Sequence, residues 1–196
     1  MVNINQQYYQ DNAQHFYEST IDVDMRSLYQ CFLPLVKQKG RILDAGCGTG
    51  RDSKSFIELG FEVEAFDASE QLAAMASKLI KKTVKVDHFD TYHNKNAFDA
   101  IWACASLLHV PHKELKSVFK SLTDLLCDHG VFYCSFKYGD EEVERNGRLF
   151  SNLTEASFTH KIAGLPLEII KQWKTGDLRE GRENEKWLNV IMRKVV

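Results

Sequence analysis

Short apolar runs alternate along the chain with longer stretches in which apolar residues return every third or fourth position. The run Arg41-Ile42-Leu43-Asp44-Ala45, bounded by Gly40 and a glycine cluster, has the length and punctuation of a buried strand. A short helix over 53–59 follows and closes at Gly60. Phe61-Glu62-Val63-Glu64-Ala65-Phe66 reads as a second strand. Ser69 is then a good N-cap for a helix carrying Leu72, Ala73, Met75, Ala76, Leu79 and Ile80 along one side. Thr83-Val84-Lys85-Val86 reads as a third strand. Phe98-Asp99-Ala100-Ile101-Trp102-Ala103-Cys104 reads as a fourth, and its unbroken apolar middle predicts burial on both faces. Pro111 opens a further helix, in which Leu115, Val118, Phe119, Leu122, Leu125 and Leu126 recur at helical spacing. His129-Gly130 turns the chain into the strand Val131-Phe132-Tyr133-Cys134-Ser135-Phe136. A helix over 154–163 ends at Gly164, and Pro166 stops it from continuing. Residues 167–173 and 186–193 are two strands around a polar, glycine-containing connection, with no helix between them, and so pair as a hairpin.

Strands alternating with helices predict an α/β fold, a parallel sheet covered by helices on both faces. Residues before Leu35 stand outside the pattern as one or two helices rich in Tyr, Phe and Gln. A chain of 196 residues without repeat or linker makes one domain, with a helical segment over 1–35 and the sheet-bearing core over 36–196. Composition narrows the class: 44% hydrophobic and 27% charged residues exclude wholesale disorder. The 25 basic residues are met by 27 acidic ones, a net charge of −2, which argues against nucleic acid or an anionic membrane as partner. No apolar run nears the roughly 18 residues that span a bilayer, and Met1-Val2-Asn3-Ile4-Asn5-Gln6 lacks the regions of a signal peptide. The five cysteines, Cys31, Cys47, Cys104, Cys127 and Cys134, are odd in number and nowhere spaced as zinc ligands. Free thiols in a reducing cytoplasm, and no metal, are the expectation.

Candidate chemistry concentrates after the first strand, in Asp44-Ala45-Gly46-Cys47-Gly48-Thr49-Gly50. In an open α/β sheet, ligands bind beyond the carboxyl ends of the strands near the switch point, and this loop lies there. Glycines let the backbone approach a ligand, and N–H groups at the following helix start favour a negative group such as a carboxylate. The Gly-x-Gly-x-Gly spacing differs from the Gly-x-Gly-x-x-Gly of dinucleotide binders. Asp44, two positions before the loop, suits a ligand with a positive group better than a pyrophosphate. Asp67, about twenty residues on, ends the second strand, where an acid accepts hydrogen bonds from ribose hydroxyls. The alternative is that Asp67 only caps the Ser69 helix. Together the two features indicate a ligand containing adenosine.

These residues resemble the first two motifs of class I S-adenosylmethionine-dependent methyltransferases. The resemblance extends over nearly the whole chain, through Asp11-Asn12-Ala13, Phe98-Asp99-Ala100-Ile101-Trp102, Ser106-Leu107-Leu108-His109-Val110-Pro111 and Phe136-Lys137-Tyr138-Gly139. It is similar to small bacterial methyltransferases of the methyltransferase-domain type, including the tellurite-resistance-like group. The resemblance implies a Rossmann-like three-layer sandwich whose seven-stranded sheet has the order 3-2-1-4-5-7-6, with strand 7 antiparallel and N-terminal lid helices. It implies S-adenosyl-L-methionine as cofactor, with Gly46, Cys47 and Gly48 against its methionine part and Asp44 near its amino group. Asp67 would hold the ribose and Ala68 touch the adenine. In Asp87-His88-Phe89-Asp90, His88 stands where an acid is common, so the group meeting the adenine amine stays open, with Phe89 as the apolar wall. Cys104 would line the cofactor near its sulfonium.

Methyl transfer from a sulfonium needs alignment and exclusion of water more than a universal catalytic residue. His109 stands where a general base would sit, or closes the turn before Pro111. Tyr8, Tyr9 and Phe16 offer a lid with an aromatic face toward the cation, or ordinary helix packing. Trp102, Leu107 and Leu108 read as core. The acceptor is expected to be a small anion gripped by Arg148 and Arg182, in segments that also carry Lys137, Arg145 and Arg179. The alternative is surface pairing of these arginines with Glu141, Glu142, Glu144, Glu180 and Glu183. Three other functions stand beside this one: a non-catalytic adenosylmethionine-binding or regulatory protein, a nicotinamide oxidoreductase, and a nucleic-acid base methyltransferase. The second lacks its glycine spacing. The third lacks the Asn/Asp-Pro-Pro-aromatic tetrad, having Ala105-Ser106-Leu107-Leu108 instead.

Overall fold

The computed structural model describes residues 4–177, 181–182 and 184–196. Three N-terminal helices, α1 (Ile4–Asp11), α2 (Ala13–Thr20) and α3 (Arg26–Phe32), run into a 3-10 turn at Leu33–Leu35. The core then follows as β1 (Arg41–Ala45), α4 (Arg51–Glu58), β2 (Glu62–Asp67), α5 (Glu70–Ile80), β3 (Lys85–Val86) and β4 (Phe98–Ala103). A 3-10 turn at Leu107–His109 leads to α6 (Leu115–Asp124) and β5 (Leu126–Lys137). The chain ends through β6 (Glu142–Arg145), β7 (Arg148–Ser151), α7 (Glu155–Ile162), β8 (Leu167–Gly176) and β9 (Lys186–Lys194).

The main sheet has seven strands in the order β3-β2-β1-β4-β5-β9-β8, with β9 antiparallel to both neighbours. With the separate β6–β7 hairpin set aside, this is the Rossmann-like order implied by the sequence. The side-chain period of two along each strand explains why its central strands are apolar throughout. Leu43, Ala45, Ile101, Ala103, Phe132 and Cys134 face one layer, packed with Leu115, Phe119 and Leu122 of α6 and Phe158 of α7. Ile42, Ala100, Trp102, Val131 and Tyr133 face the other, packed with Leu28, Tyr29 and Phe32 of α3 and Phe56 of α4. Trp102 and Tyr133 stack with ring centroids 3.9 Å apart. From β1 the chain winds outward to β2 and β3, then returns to β4. The loops leaving β1 and β4 therefore diverge and open a crevice between them.

Several boundaries differ from the sequence reading. The N-terminal segment holds three α-helices rather than one or two. Pro111 begins a turn, its carbonyl accepting from Glu114 N and Leu115 N at 2.9 and 3.1 Å, and α6 starts only at Leu115. His129-Gly130 lies inside β5 instead of preceding it. The register jumps there from Phe98↔Leu126 to Ala100↔Val131, with His129 at φ 63°. The third strand keeps two of its four expected residues, because Val84 packs under α5 and its amide donates to Ser77 Oγ at 2.9 Å. The β6–β7 hairpin was not anticipated, although Asn146-Gly147, both at positive φ, is the pair that a tight hairpin turn selects.

Phe32 is fully buried, 5.0 Å from the Trp102 ring centroid and 6.2 Å from those of Phe56 and Tyr133. Phe32→Ala is expected to cost about 3–5 kcal/mol in urea unfolding. A loss under about 1 kcal/mol would mean that α3 is not part of this core.

Candidate functional site

A cavity of about 720 Å³ lies in the crevice, floored by the carboxyl ends of β1, β2 and β4 and walled by α1 and α2. Tyr9, Asp44, Gly46, Cys47, Gly48, Asp67, Ala68, His88, Phe89, Cys104, His109, Arg148 and Arg182, chosen from the sequence as site residues, all line it. The glycine loop is shaped by crowding as well as by dihedral. Gly46 has φ +74°, and a Cβ there would stand 2.6 Å from Ser106 Cβ. At Gly48, φ +57°, a Cβ would meet the Phe16 ring at 3.0 Å. Three of the loop's amides are engaged within the protein. Gly46 N and Cys47 N donate to the Phe66 carbonyl, each at 3.0 Å, and Gly48 N donates to Asp67 Oδ2 at 2.8 Å.

Asp67 Oδ1 also accepts from Ser69 N at 2.9 Å, so the carboxylate does brace the start of α5, which Ser69 caps. A carboxylate accepts about four hydrogen bonds, and room remains for hydroxyls of a ligand. Burial raises the Asp67 carboxyl to about 6, against the pull of these amides. Asp44 is 2% exposed and accepts from Ser53 Oγ at 2.6 Å. Burial first, and the negative charge of Asp52 second, push it up to about 8. Phe89 lies edge-on to Phe66, centroids 5.6 Å apart, with its ring tip over Gly46. His88 beside it is exposed. Burial lifts the Cys104 thiol to about 12 and raises that of Cys47 as well, so both present neutral sulfur to the cavity.

On the opposite wall, His109 Nδ1 meets the Leu149 carbonyl at 2.8 Å. A carbonyl only accepts, so Nδ1 carries the proton and Nε2 accepts from the Tyr9 hydroxyl at 2.8 Å. Burial holds this imidazole neutral, lowering it to about 4. Tyr9 and Phe16 pack edge to face, centroids 5.1 Å apart. Tyr8 instead lies outside the cavity wall, under the Arg148 guanidinium, 4.2 Å from its centroid. Arg148 also stands over Phe150 at 5.1 Å, and its buried Nε has no hydrogen-bond partner. Among the described residues Arg148 has no carboxylate at ion-pair distance, whereas Arg182 stands 3.8 Å from Glu185. Lys137 lines the cavity and pairs with Glu185; Arg145 lies outside it, and Arg179, Glu180 and Glu183 lie outside the described residues. Trp102, Leu107 and Leu108 are core, as read.

Four contributors escaped the sequence reading. Asn5, 6% exposed, ties α1 across the opening: its amide nitrogen donates to the His109 carbonyl at 3.0 Å, and its oxygen accepts from Leu149 N at 2.8 Å. Ser106, whose Oγ donates to the Ala45 carbonyl at 2.7 Å, presses on Gly46. Arg51 and Asp52 form a buried pair at 2.7 Å on the cavity floor. Among the described residues, no group of three or more His, Cys, Asp or Glu side chains is arranged to hold a metal ion, and no helix is long and apolar enough to cross a membrane.

A sheet of this order, with a glycine loop after β1 and an acid ending β2, has the Rossmann-like fold of class I methyltransferases. A family model described as a methyltransferase domain matches residues 42–130, from β1 to the irregularity in β5. An uncharacterized methyltransferase of Staphylococcus carnosus is 30% identical over 124 residues, 60% of this chain and 60% of its own length. The chain spans about 60% of the length of the first curated relatives it matches. Among solved structures, N-methyltransferase NodS of Bradyrhizobium japonicum, in complex with S-adenosylhomocysteine, superposes with a TM-score of 0.77 over 98% of each chain at 14% identity. The 1,6-didemethyltoxoflavin-N1-methyltransferase of Burkholderia thailandensis, bound to 1,6-didemethyltoxoflavin and S-adenosylhomocysteine, gives 0.75 at 17% identity, covering 98% of this chain and 88% of that one. At these identities the likeness to solved structures is one of fold.

The raised Asp44 carboxyl has a consequence for stability. The folded protein keeps the Asp44 proton to about pH 8, while the unfolded chain releases it near the ordinary aspartate value of 3.8. The stability this proton contributes is full below that value and is lost as pH rises toward 8. Asp44→Asn is therefore expected to gain on the wild type between about pH 5 and about pH 8 in urea unfolding. A gap that stays constant, or narrows with pH, would contradict this charge assignment.

Proposed function

We infer that the chain is an S-adenosylmethionine-dependent methyltransferase that moves a methyl group to a small-molecule acceptor by in-line displacement. The observation that carries this reading is the convergence of Asp44, the glycine loop, Asp67 and Phe89 on one cavity at the switch point of the sheet. These groups fit the cofactor in chemistry: a buried acid for the ammonium, a second for the ribose diol, an aromatic wall for the adenine. The cofactor, when bound, supplies a methyl group already activated on a cationic sulfur. What the chain contributes is placement and exclusion of water. Phe16 sets its ring against Gly48 and Tyr9 packs on Phe16, where ring quadrupoles favour a sulfonium, and α1 with α2 acts as the lid.

The acceptor is a small anion held at the other end by Arg148 and Arg182. The support is that both arginines line the cavity and that Arg148, stacked on Tyr8 and Phe150, has a buried Nε without a partner. A planar oxyanion would meet such a fork in bidentate fashion. His109 serves as base in its neutral form, which persists down to about pH 4, and reaches the acceptor through the Tyr9 hydroxyl. The five free cysteines suit a reducing cytoplasm. The placing beside the tellurite-resistance-like group rests on sequence resemblance.

Asp67→Ala is expected to weaken calorimetric binding of S-adenosylhomocysteine by about tenfold or more, with circular dichroism unchanged. Unchanged affinity removes the cofactor assignment. In a methyl-acceptor screen, the Arg148→Ala/Arg182→Ala variant should lose about 10- to 100-fold in kcat/KM on anionic acceptors and little on neutral ones. Binding of cofactor with no transfer to any acceptor would instead favour a non-catalytic binding protein. The pH profile tests His109 separately: no step near pH 6.5 should trace to it, and one that His109→Gln abolished would overturn its neutral assignment.

A further inference from the structure

One cation on the cavity floor stands apart from those at its mouth. Arg51 opens α4 directly behind the glycine loop and lines the same cavity as Asp44, Gly48 and Cys104. Its Nε and one terminal nitrogen donate to Asp52 at 2.7 and 3.0 Å, and the other terminal nitrogen donates to the Thr20 carbonyl at 3.2 Å. A guanidinium has five N–H groups. Two therefore remain, one on each terminal nitrogen, on a side chain still 21% accessible. The three bonds it makes hold the fork in place beforehand, as a free surface arginine is not held.

The head of a methionine-type ligand carries an ammonium and a carboxylate on one carbon atom. With the ammonium at Asp44, the carboxylate must fall within a few ångströms of it and needs donors there. Four of the loop amides are already committed: Gly46 and Cys47 to Phe66, Gly48 to Asp67, and Gly50 to Cys47 at 3.0 Å. The same floor carries the buried, ionised Asp52 and the half-buried Asp67, which repel an unmet carboxylate. Arg51 is the cation whose charge acts on both Asp44 and Cys104, which places it at this end.

We propose that Arg51 receives the carboxylate of the cofactor's amino-acid head on its two remaining N–H groups, opposite the ammonium at Asp44. This assignment rests on the cofactor reading above. Asp52 then acts as a positioning residue: it aims the guanidinium and cancels its charge until a ligand arrives.

Two ligands separate the terms. S-adenosylhomocysteine carries both charges of the head, and its decarboxylated analogue keeps only the amine. The wild-type chain should bind the first about 10- to 100-fold more tightly in calorimetry. Equal affinities would overturn the proposal without any substitution being made. Removing Arg51 alone would strand the buried Asp52 charge. Arg51→Met is therefore placed in an Asp52→Asn background, with Asp52→Asn alone as reference. The double variant should lose the preference for the carboxylate-bearing ligand and bind the analogue as the reference does. An undiminished preference, or equal losses for both ligands, overturns the role of Arg51 and leaves the cofactor reading standing. If the wild-type chain binds neither ligand, both fall.

Discussion

A single buried carboxylate, Asp52, joins three parts of this structure that lie well apart in sequence. It is 6% exposed and accepts from Tyr29 Oη of α3 at 2.6 Å, from Trp102 Nε1 of β4 at 2.7 Å and from Arg51 of α4. Burial opposes its charge, but the Arg51 guanidinium and the donated hydrogen bonds outweigh that and hold its carboxyl below the usual carboxylate range. A buried charge of this kind is tolerable only when every partner is in place. The N-terminal helices, the glycine-loop helix and the central sheet are thus bound to assemble together, and Arg51 extends the tie to the end of α2 through Thr20.

The same charge sets the electrostatics of the cavity. Standing negative near Asp44, it adds to burial in keeping that second acid protonated in the unliganded protein. A cationic ligand group reverses the balance, since it favours the ionised form. The neutral Tyr9–His109 pair is fixed by the Leu149 carbonyl of the β6–β7 hairpin.

Much of this was legible before any coordinates. Strands β1, β4 and β5 are buried on both faces, so their apolar runs are unmistakable, and the glycine spacing with Asp44 and Asp67 marked the floor of the site. Other parts were not, for physical reasons. Arg51 and Asp52 look like an ordinary first helical turn, and nothing in their spacing reveals Tyr29 and Trp102 converging on them. The strap across the opening is held by amide side chains: Asn5 as described, Gln6 donating to the Ala68 carbonyl at 2.9 Å, and Gln10, whose Oε1 accepts from Ser69 Oγ at 3.1 Å. Such contacts follow no hydrophobic period. The hairpin carried its Asn146-Gly147 signal, but its exposed, charged β6 shows no apolar alternation to accompany it.

The central claim is that the crevice between β1 and β4 binds an adenosine-containing sulfonium cofactor through its two buried acids. A crystal structure of the chain grown with S-adenosylhomocysteine tests it most directly. The account predicts the ligand lying across the glycine loop, its amine about 3 Å from an Asp44 oxygen and its ribose hydroxyls at the same range from Asp67. A ligand bound elsewhere, or one lying in this cavity with neither acid in contact, would contradict it.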